Sequence, residues 1–576
     1  MKERVRIAVL LGIALLVYAN GLVNGFTYDD EGYILRSHAV QSGSLREMFQ
    51  PTKGNNIFRP LTFATFAVNW AAGGAQPFGY HLVNLLLHAT VTLLLYFVLR
   101  KLLGEMALGG SSSEGERTAS PQSSAQAEGG PYRGVAFAAA LLFAVHPIHT
   151  EAVSSIVGRG ELLAAGFLLA AWLLHLQDRA IGALLCFALA LFSKESVVVF
   201  LPLVLAGDYA LGKFKSLARY GWIGGLTAAY IALLWKAQGG HFTKGAYTVV
   251  DNPLANLPAA WRILNALRVA WKYVALQVYP ATLSYDYSYN ATRVYADWRH
   301  TLPAAFAALV VLGLWIWTVR TKRAPWMLAG AIYLGAFAVT ANVLVPTGTV
   351  MGERLAYLPS AGFCLLVALL WARLKGWWPD AARVLAVCVL GALAGRTVLR
   401  NQAWRDNLTL YSKDIQAVPQ SVRAHLNLGD EYLKRRLVQA AYEEYAMALK
   451  IYPDSDGALE RYGLVEALMG QDGAACADLA KALERTHKDD PNYDLMAWNL
   501  ATVLTKVGRE DEALAVLNRE IDELRGSTRV WASRAAIRYR RGDSAGARTD
   551  AEAALRLDPG NAAAQGLLSE ISQKKE

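Results

Sequence analysis

Residues 5–31 read VRIAVLLGIALLVYANGLVNGFTYDDE, a hydrophobic stretch that ends in three consecutive acids. Residues 5–23 carry one charge, Arg6, and would extend about 28 Å as a helix, enough to cross a bilayer core. Asp29, Asp30 and Glu31 then emerge at the membrane surface. A carboxyl group leaving water there has a raised pKa and can act as a base near neutral pH. The alternative is a hydrated collar that stops the helix from sliding inward.

The composition divides the chain near residue 400. The protein has 576 residues, 54% of them hydrophobic, and a formal net charge of +10. Apolar runs dominate up to residue 400, and a charged helical pattern occupies the rest. We therefore predict an all-α protein with a polytopic membrane domain at 1–400 and a soluble helical domain at 401–576. Much of the positive charge lies in loops where the positive-inside rule places it, so it does not indicate nucleic-acid binding.

Eleven segments of the first domain are predicted to cross the membrane. They are 5–23, 82–103, 134–146, 161–176, 180–192, 195–211, 219–236, 300–319, 325–343, 357–372 and 381–398. With the N-terminus inside, nearly every Lys and Arg cluster becomes cytoplasmic and the soluble domain lies outside. Residues 261–280 mix aromatics with charges and are predicted to lie at the outer interface, although a crossing there would invert the orientation of all later segments. Residues 104–132, rich in Ser, Gly, Ala and Glu, predict a disordered cytoplasmic loop.

Two of these segments, 134–146 and 180–192, are short. As helices each would reach only about 20 Å, well under the hydrocarbon thickness. They end at the polar sequences HPIHTE (146–151) and SKE (193–195). Because polar chain at membrane depth is tolerated only where it lines a cavity, the two segments predict a crevice that opens on the outer side.

An internal repeat lies beyond residue 400. Alanines spaced by 34, 38 and 34 residues are each preceded, twelve positions earlier, by another small residue; the pairs are Gly429 and Ala441, Gly463 and Ala475, Ala501 and Ala513, and Ala535 and Ala547. The pattern resembles the tetratricopeptide repeat, in which small residues let paired helices touch. We predict four units at about 422–560 after a half-repeat cap at 404–419. Such units stack into a solenoid whose groove most often binds polypeptide.

Ionisable side chains from four separate loops are predicted to meet on the outer side at membrane depth. They are Asp29, Asp30, Glu31, Arg59, His81, His146, His149, Glu151, Arg159, Lys194, Glu195, Glu353 and Arg354. Singly, each has a structural explanation, such as a cation that reaches toward water or a neutralised pair. Together they indicate a functional cavity, because charges inside membranes are costly. Cations suit a phosphate, and carboxylates suit deprotonation of a hydroxyl. The set therefore predicts sugar transfer from a polyprenyl-phosphate carrier to an alcohol.

His146 and His149 are spaced closely enough to suggest a metal site. Pro147 between them breaks helical geometry, and a third protein ligand would still be needed. We therefore predict no metal and no other cofactor.

Five strings of sequence resemble those of a known family. They are FTYDDEGYI, FRPLTF, HPIHTEAVSSIVGRGELLA, LFSKES and VPTGTVMGERLAYLPSAGF. Together with the repeats, they are similar to the transmembrane and tetratricopeptide-repeat O-mannosyltransferases of the C-type glycosyltransferase (GT-C) superfamily. The resemblance covers nearly the whole chain, and the loop at 104–132 and the small number of repeats depart from it.

The resemblance implies inverting transfer of mannose from a polyprenyl-phosphate donor to Ser or Thr of an extracytoplasmic protein recruited by the repeat groove. The paired acids fall on Asp29, expected as the base, and Asp30, expected to place acceptor or sugar, or the reverse. Arg354, Lys194 and Arg159 are expected to bind the donor phosphate. Second choices, for sugar, acceptor or orientation, are Glu31, Arg59, His81, His146, His149, Glu151, Glu195 and Glu353. Inversion implies that the acids lie across a gap from the cations.

Two other functions remain open. One is a ligase that moves a preassembled glycan from a lipid pyrophosphate, which would favour a metal or more cations. The other is a non-enzymatic membrane anchor for a repeat scaffold, which would leave the buried charges unexplained. The short N-terminus and few repeats are typical of a bacterial protein, which predicts an inner-membrane location with periplasmic repeats. An endoplasmic reticulum membrane with lumenal repeats has the same topology.

Overall fold

The computed structural model describes residues 2–52, 57–111, 132, 134–240, 248–344, 346–488, 490, 492–524 and 527–573. Every regular element in these ranges is helical, which confirms the predicted all-α class. The chain divides into two compact units, Met1–Pro419 and Gln420–Glu576. This boundary lies beyond the predicted one at 400/401, since the helix Asn407–Ala417, predicted as a cap on the repeats, belongs to the first unit.

The first unit is built from long apolar helices interrupted by short turns. Its α-helices are α1 (Glu3–Tyr18), α2 (His38–Ser42), α3 (Leu45–Met48), α4 (Pro60–Gly73), α5 (Pro77–Ser111), α6 (Val135–Val145), α7 (Thr150–Ser154), α8 (Arg159–Leu176), α9 (Ala180–Ser193), α10 (Phe200–Leu211), α11 (Leu217–Ala237), α12 (Ala259–Val278), α13 (Trp298–Arg320), α14 (Ala324–Phe337), α15 (Ser360–Trp377), α16 (Pro379–Asn401) and α17 (Asn407–Ala417). The turns of 3₁₀ or π geometry are Ala19–Val23, Glu31–Leu35, Pro147–His149, Ile156–Gly158, Glu195–Val199, Glu353–Ala356 and Gln402–Trp404. Most of the predicted polar residues lie in or beside these turns.

By length and composition, six stretches of the described chain can cross a membrane. They are Glu3–Val23, Pro77–Leu108, Ile156–Leu176, Trp298–Arg320, Ser360–Trp377 and Pro379–Arg405. Helix α6 and Pro147–Ser154, bent by 54°, could form a seventh, and α9 and α14 are apolar but shorter. The structure thus supports six or seven of the eleven predicted crossings. Of the others, 195–211 is divided between the turn Glu195–Val199 and the twelve-residue α10.

Two further predictions concern the connections between the spans. Helix α5 continues to Ser111, so the first part of the loop predicted at 104–132 is helical, and residues 112–131 lie outside the described ranges. The ambiguous stretch 261–280 falls almost entirely in α12, which is not one of the six stretches apolar enough to cross. This agrees with the interfacial prediction.

Small residues allow the helices of the first unit to pack closely. A Cβ added to Gly362 in α15 would lie 2.5 Å from the carbonyl oxygen of Ala329 in α14 and 2.5 Å from the backbone nitrogen of Tyr333. No larger residue fits there without moving the backbone. Helices α14 and α15 are therefore in direct backbone contact at Gly362.

The second unit consists of paired helices. They are α18 (Val422–Lys434) with α19 (Val438–Ile451), α20 (Asp456–Leu468) with α21 (Asp472–Arg485), α22 (Tyr493–Lys506) with α23 (Glu510–Leu524), α24 (Thr528–Arg540) with α25 (Ser544–Leu557), and a final α26 (Ala562–Gln573). The periodic alanines Ala441, Ala475, Ala513 and Ala547 are all fully buried. A Cβ on Gly429 would lie 2.4 Å from the Tyr445 ring. The small residues thus lie where the paired helices touch.

Candidate functional site

The structure brings Asp29, Glu151 and Arg354 together from three loops that are far apart in sequence. Nη1 of Arg354 lies 3.8 Å from Oδ2 of Asp29 and 2.8 Å from Oε1 of Glu151. The backbone N–H of Arg354 also donates to Oε2 of Glu151 at 2.8 Å. The side chains of Asp29 and Arg354 are 29% and 28% exposed, whereas that of Glu151 is 1% exposed. Glu151 thus holds Arg354 in place, and an acid and a cation are left accessible side by side.

Electrostatics keep Arg354 charged. Burial alone would lower the pKa of the guanidinium, but the carboxylates of Glu151 and Asp29 outweigh that effect and raise the pKa above its ordinary value. A guanidinium that stays cationic and partly exposed is suited to bind a phosphate.

Lys194 is held by an acid that the sequence analysis missed. It forms a buried ion pair with Glu161 in the first turn of α8. Burial lowers the pKa of Lys194, the charge of Glu161 opposes this shift, and the charge of Arg354 adds to it. Glu161 also acts on the pKa of Arg354. The two predicted phosphate-binding cations are therefore electrostatically coupled through Glu161.

Arg59 and Glu195 form a two-pronged ion pair. Nε and Nη2 of Arg59 donate to the two carboxylate oxygens of Glu195 at 3.0 and 2.6 Å. The charge of Arg59 also acts on Lys194. The pair extends the cluster of charges and leaves Glu195 40% exposed.

Asp30 differs from its neighbour Asp29 because it is fully buried. Its carboxylate accepts the backbone N–H groups of Thr27 at 3.0 Å, Val157 at 2.9 Å and Ile156 at 3.4 Å. Burial raises the pKa of Asp30 to about 7, and these three N–H groups oppose that shift. The geometry favours a role in joining the first loop to the second over the predicted contact with acceptor or sugar.

Arg159 is also bound by groups inside the first unit. Its guanidinium donates to Oδ1 of Asn84 at 2.9 Å, Oδ1 of Asn69 at 2.6 Å and the carbonyl oxygen of Tyr80 at 3.0 Å. It also lies over the ring of Phe66, 4.7 Å from the centroid, and is fully buried. These contacts favour a structural role for Arg159, contrary to the prediction that it binds the donor phosphate.

The three predicted histidines are buried, and each is hydrogen-bonded to another segment of the first unit. His81 lies 3.4 Å from the carbonyl oxygen of Gly25, His146 2.8 Å from that of Gln277, and His149 2.7 Å from Oγ of Ser360. These contacts give the histidines a role in joining segments of the first unit. Over the described ranges, no group of three or more His, Cys, Asp and Glu side chains could hold a metal ion.

The remaining predicted acids connect the site to its surroundings. Oε1 of Glu353 accepts the backbone N–H of Ser284 and the hydroxyl of Tyr287, both at 2.6 Å. Burial raises the pKa of Glu353 to about 8. Glu31 accepts Nδ2 of Asn407 at 2.6 Å and pairs with Arg36 at 3.3 Å. Asn407 was not predicted, because it is uncharged and lies beyond the expected domain boundary.

The expected gap between acids and cations is not seen at Asp29 and Arg354. The two charges lie 3.8 Å apart. This distance exceeds that of a hydrogen bond, so the pair is a loose one.

The fold and the site define a class: helical membrane proteins with a helical-repeat unit and a partly exposed acid and cation at the ends of their spans. No protein-family model matches this chain. Its curated relatives include a protein O-mannosyl-transferase of Caenorhabditis elegans, 29% identical over 77% of this chain and 62% of the relative. Protein O-mannosyl-transferase Tmtc1 of Drosophila melanogaster is 28% identical over 78% of this chain and 61% of its own length. Protein O-mannosyl-transferase TMTC4 of Mus musculus is 28% identical over 75% of this chain and 64% of its own length.

This chain therefore spans about three fifths of the length of the curated relatives it matches. They come from animals and do not support the predicted bacterial origin. Among solved structures, MamA matches 27% of the chain with 22% identity and a TM-score of 0.24, which carries no weight for function.

Proposed function

We propose that this protein is an O-mannosyltransferase that moves mannose, with inversion, from a polyprenyl-phosphate carrier to a Ser or Thr hydroxyl. The observation that carries the proposal is the pair of Asp29 and Arg354, an accessible carboxylate beside an accessible guanidinium. The names of the relatives support the class of reaction. The apolar spans support a lipid-linked donor, because they bring the site to the membrane where such a donor resides.

The proposed reaction divides the work between the two side chains. Asp29 accepts the proton of the acceptor hydroxyl, whose oxygen attacks the anomeric carbon of the sugar. The bond from that carbon to the phosphate oxygen breaks, and the lipid phosphate leaves with the electron pair. Arg354 stabilises the negative charge that develops on the phosphate. Attack and departure on opposite faces invert the anomeric centre, so the bound sugar has to lie between Asp29 and Arg354 and separate a pair whose atoms lie 3.8 Å apart in this structure.

The buried neighbours orient these two groups. The carboxylate of Glu151 accepts hydrogen bonds from both the side chain and the backbone N–H of Arg354. Asp30 binds the second loop and so fixes the turn that presents Asp29. The geometry therefore favours Asp29 as the base and Asp30 as a support. The charge needed at the leaving group is supplied by Arg354, which is compatible with transfer without a metal.

The acceptor and the compartment belong to the same proposal. Helical-repeat solenoids commonly bind polypeptide in their groove, so the second unit is proposed to recruit the acceptor protein. The site is proposed to face the non-cytoplasmic side, in an endoplasmic reticulum or a bacterial inner membrane.

The ion pairs disfavour the ligase. A pyrophosphate donor brings a second phosphate, yet Lys194 and Arg59 are already paired with Glu161 and Glu195. The scaffold function leaves the accessible Asp29 and Arg354 without a role.

The test uses the full-length protein in detergent or liposomes with polyprenyl-phosphate mannose and Ser/Thr-containing peptides. Mass spectrometry should show addition of one hexose, and Asp29→Asn should abolish it. Asp380→Asn is the matched control, because Asp380 is 87% exposed and pairs with Arg383, an exposed neighbour on the same helix. Full activity of Asp29→Asn would remove the proposed base. Transfer of an oligosaccharide would establish the ligase instead.

A further inference from the structure

A strip of chain that leads toward the second unit lies against the turn that carries Asp29. The backbone N–H of Gly25 donates to the carbonyl oxygen of Arg405 at 2.8 Å. The backbone N–H of Tyr28 donates to Oδ1 of Asn407 at 2.8 Å. Nδ2 of Asn407 donates in turn to Oε1 of Glu31 at 2.6 Å. One amide side chain thus binds the chain on both sides of Asp29.

Tyr28 needs such a partner because its backbone conformation is unfavourable. Its φ of 52° lies in the left-handed region, which is rare for a bulky residue that carries a Cβ. A residue held in this region persists only where its surroundings fix it. The hydrogen bond from the Tyr28 N–H to Asn407 fixes the peptide plane next to the strained φ, and Asp29 is the next residue in the chain.

Asn407 lies at the start of a helix that is itself held in place by several contacts. It is the first residue of α17, whose N-cap Asp406 accepts the backbone N–H of Thr409 at 2.8 Å. Further along α17, Asp414 forms a buried ion pair with Arg400 at 2.6 Å and accepts the N–H of Tyr285 at 2.5 Å. Only 8% of Asn407 is exposed. Its amide therefore acts from a rigid element on a strained turn.

We infer that Asn407 is a positioning residue of the transfer reaction, which keeps Tyr28 left-handed so that Asp29 stays beside Arg354. The inference rests on the proposed function. A general base must lie within hydrogen-bond reach of the proton that it removes, and a displacement of about 1 Å can cost about 100-fold in rate. Without the amide, Tyr28 is released toward the extended region and Asp29 turns away.

The kinetic test compares Asn407→Ala with a matched control. Asn407→Ala should lower kcat by about tenfold or more, while KM for donor and acceptor changes by no more than about twofold. Asn265→Ala is the control, because Asn265 is 1% exposed and its amide likewise binds the backbone N–H and carbonyl of Tyr295, at 3.0 and 2.8 Å. It should lower stability without lowering the kcat of the folded protein.

A rescue variant separates positioning from loss of fold. In Asn407→Asp with Glu31→Gln, the new carboxylate can accept both the Tyr28 N–H and an N–H of the new amide, so both hydrogen bonds are rebuilt with one of them reversed. This double variant should regain most of the lost kcat. Asn407→Asp alone should not, because it places two carboxylates together.

Hydrogen exchange gives a readout that does not depend on activity. Deuterium uptake by residues 26–31 should rise in Asn407→Ala and stay at the wild-type level in Asn265→Ala. Unchanged uptake, or a wild-type kcat in Asn407→Ala, overturns the inference. An Asp29→Asn variant that keeps full activity overturns the proposed function instead, and the exchange result still decides whether Asn407 holds the turn.

Discussion

Two arginine–carboxylate clusters, one in each unit, differ in how far their charges are enclosed. In the second unit, Arg534 of α24 donates to both oxygens of Asp550 in α25 at 2.8 and 2.7 Å and to Asn518 at 2.8 Å. Arg534 is 9% exposed and Asp550 1%. In the first unit, Arg354 is 28% exposed and meets two acids through Nη1, one of them at only 3.8 Å.

The difference shows that burial of a charge does not by itself indicate function. The pair of Arg534 and Asp550 joins adjacent helices of one repeat and is enclosed, so a structural role explains it fully. Arg354 and Asp29 come from distant loops, and each keeps more than a quarter of its side chain accessible. Such incomplete pairing of costly charges is what a ligand site requires.

The largest effect that would sharpen this contrast is expected at Arg354. Arg354→Gln should lower kcat/KM for mannose transfer by about 100- to 1,000-fold, because the charge that stabilises the leaving phosphate is lost. Arg354→Lys should retain part of the activity, since it keeps the charge but loses the planar fork. Steady-state assays with varied donor concentration measure both. A value for Arg354→Gln within threefold of wild type would place the phosphate elsewhere.

Substitutions in the enclosed pair of Arg534 and Asp550 should instead lower the stability of the fold. Arg534→Met should lower the free energy of unfolding by about 3–5 kcal/mol, because Asp550 is left buried without its main partner. Adding Asp550→Leu should recover much of the loss. Denaturant unfolding of the full-length protein reports the change, and transfer to a short peptide by the folded fraction should stay at the wild-type rate. A selective loss of transfer would break the distinction between the two clusters.

A smaller effect is expected where the repeat helices touch. Gly429→Ala should destabilise the second unit by about 1–3 kcal/mol, since the new Cβ collides with the ring of Tyr445. Gly473→Ala in α21 is the control, because a Cβ there has no heavy atom within 4 Å. Thermal unfolding followed by circular dichroism compares the two. Equal stability of the two variants would show that α18 and α19 can move apart without cost.

The last effect is a pH dependence of stability at Glu353. Its pKa of about 8 lies above the ordinary 4.5, so between these values the folded protein holds a proton that the unfolded chain releases. Stability from this group is therefore lost as the pH rises toward 8. Glu353→Gln cannot titrate and should lose less stability between pH 5 and pH 8. Melting temperatures across that range test this, and parallel curves for the variant and the wild type would contradict it.

The sequence predicted the parts of the fold that depend on local pattern. Alanine spacing located the helix pairs of the second unit, since small residues are needed where two helices touch. Apolar length identified all six stretches that are long and apolar enough to cross a membrane. It did not reveal that 195–211, which has the composition of a span, is divided at the turn Glu195–Val199.

Within the site, the sequence predicted which residues converge better than it predicted their roles. Asp29, Glu151 and Arg354 meet as expected, because charged residues at span ends are costly to bury in lipid and pair with one another instead. Arg159 looked equivalent to Arg354, yet its partners Asn69 and Asn84 lie on α4 and α5 and can be found only from the packed structure. Residue type reveals a charge but not the groups that bind it.

The contacts of Asn407 have a consequence for modification of the chain. Asn407-Leu408-Thr409 has the form of an acceptor sequence for N-linked glycans. An oligosaccharide would be joined through Nδ2, the atom that donates to Glu31, and Asn407 is only 8% exposed. Glycosylation at this asparagine and the hydrogen bond that joins it to Glu31 in the turn of Asp29 therefore exclude one another. A chain that acquired the glycan during synthesis would be held short of the folded state.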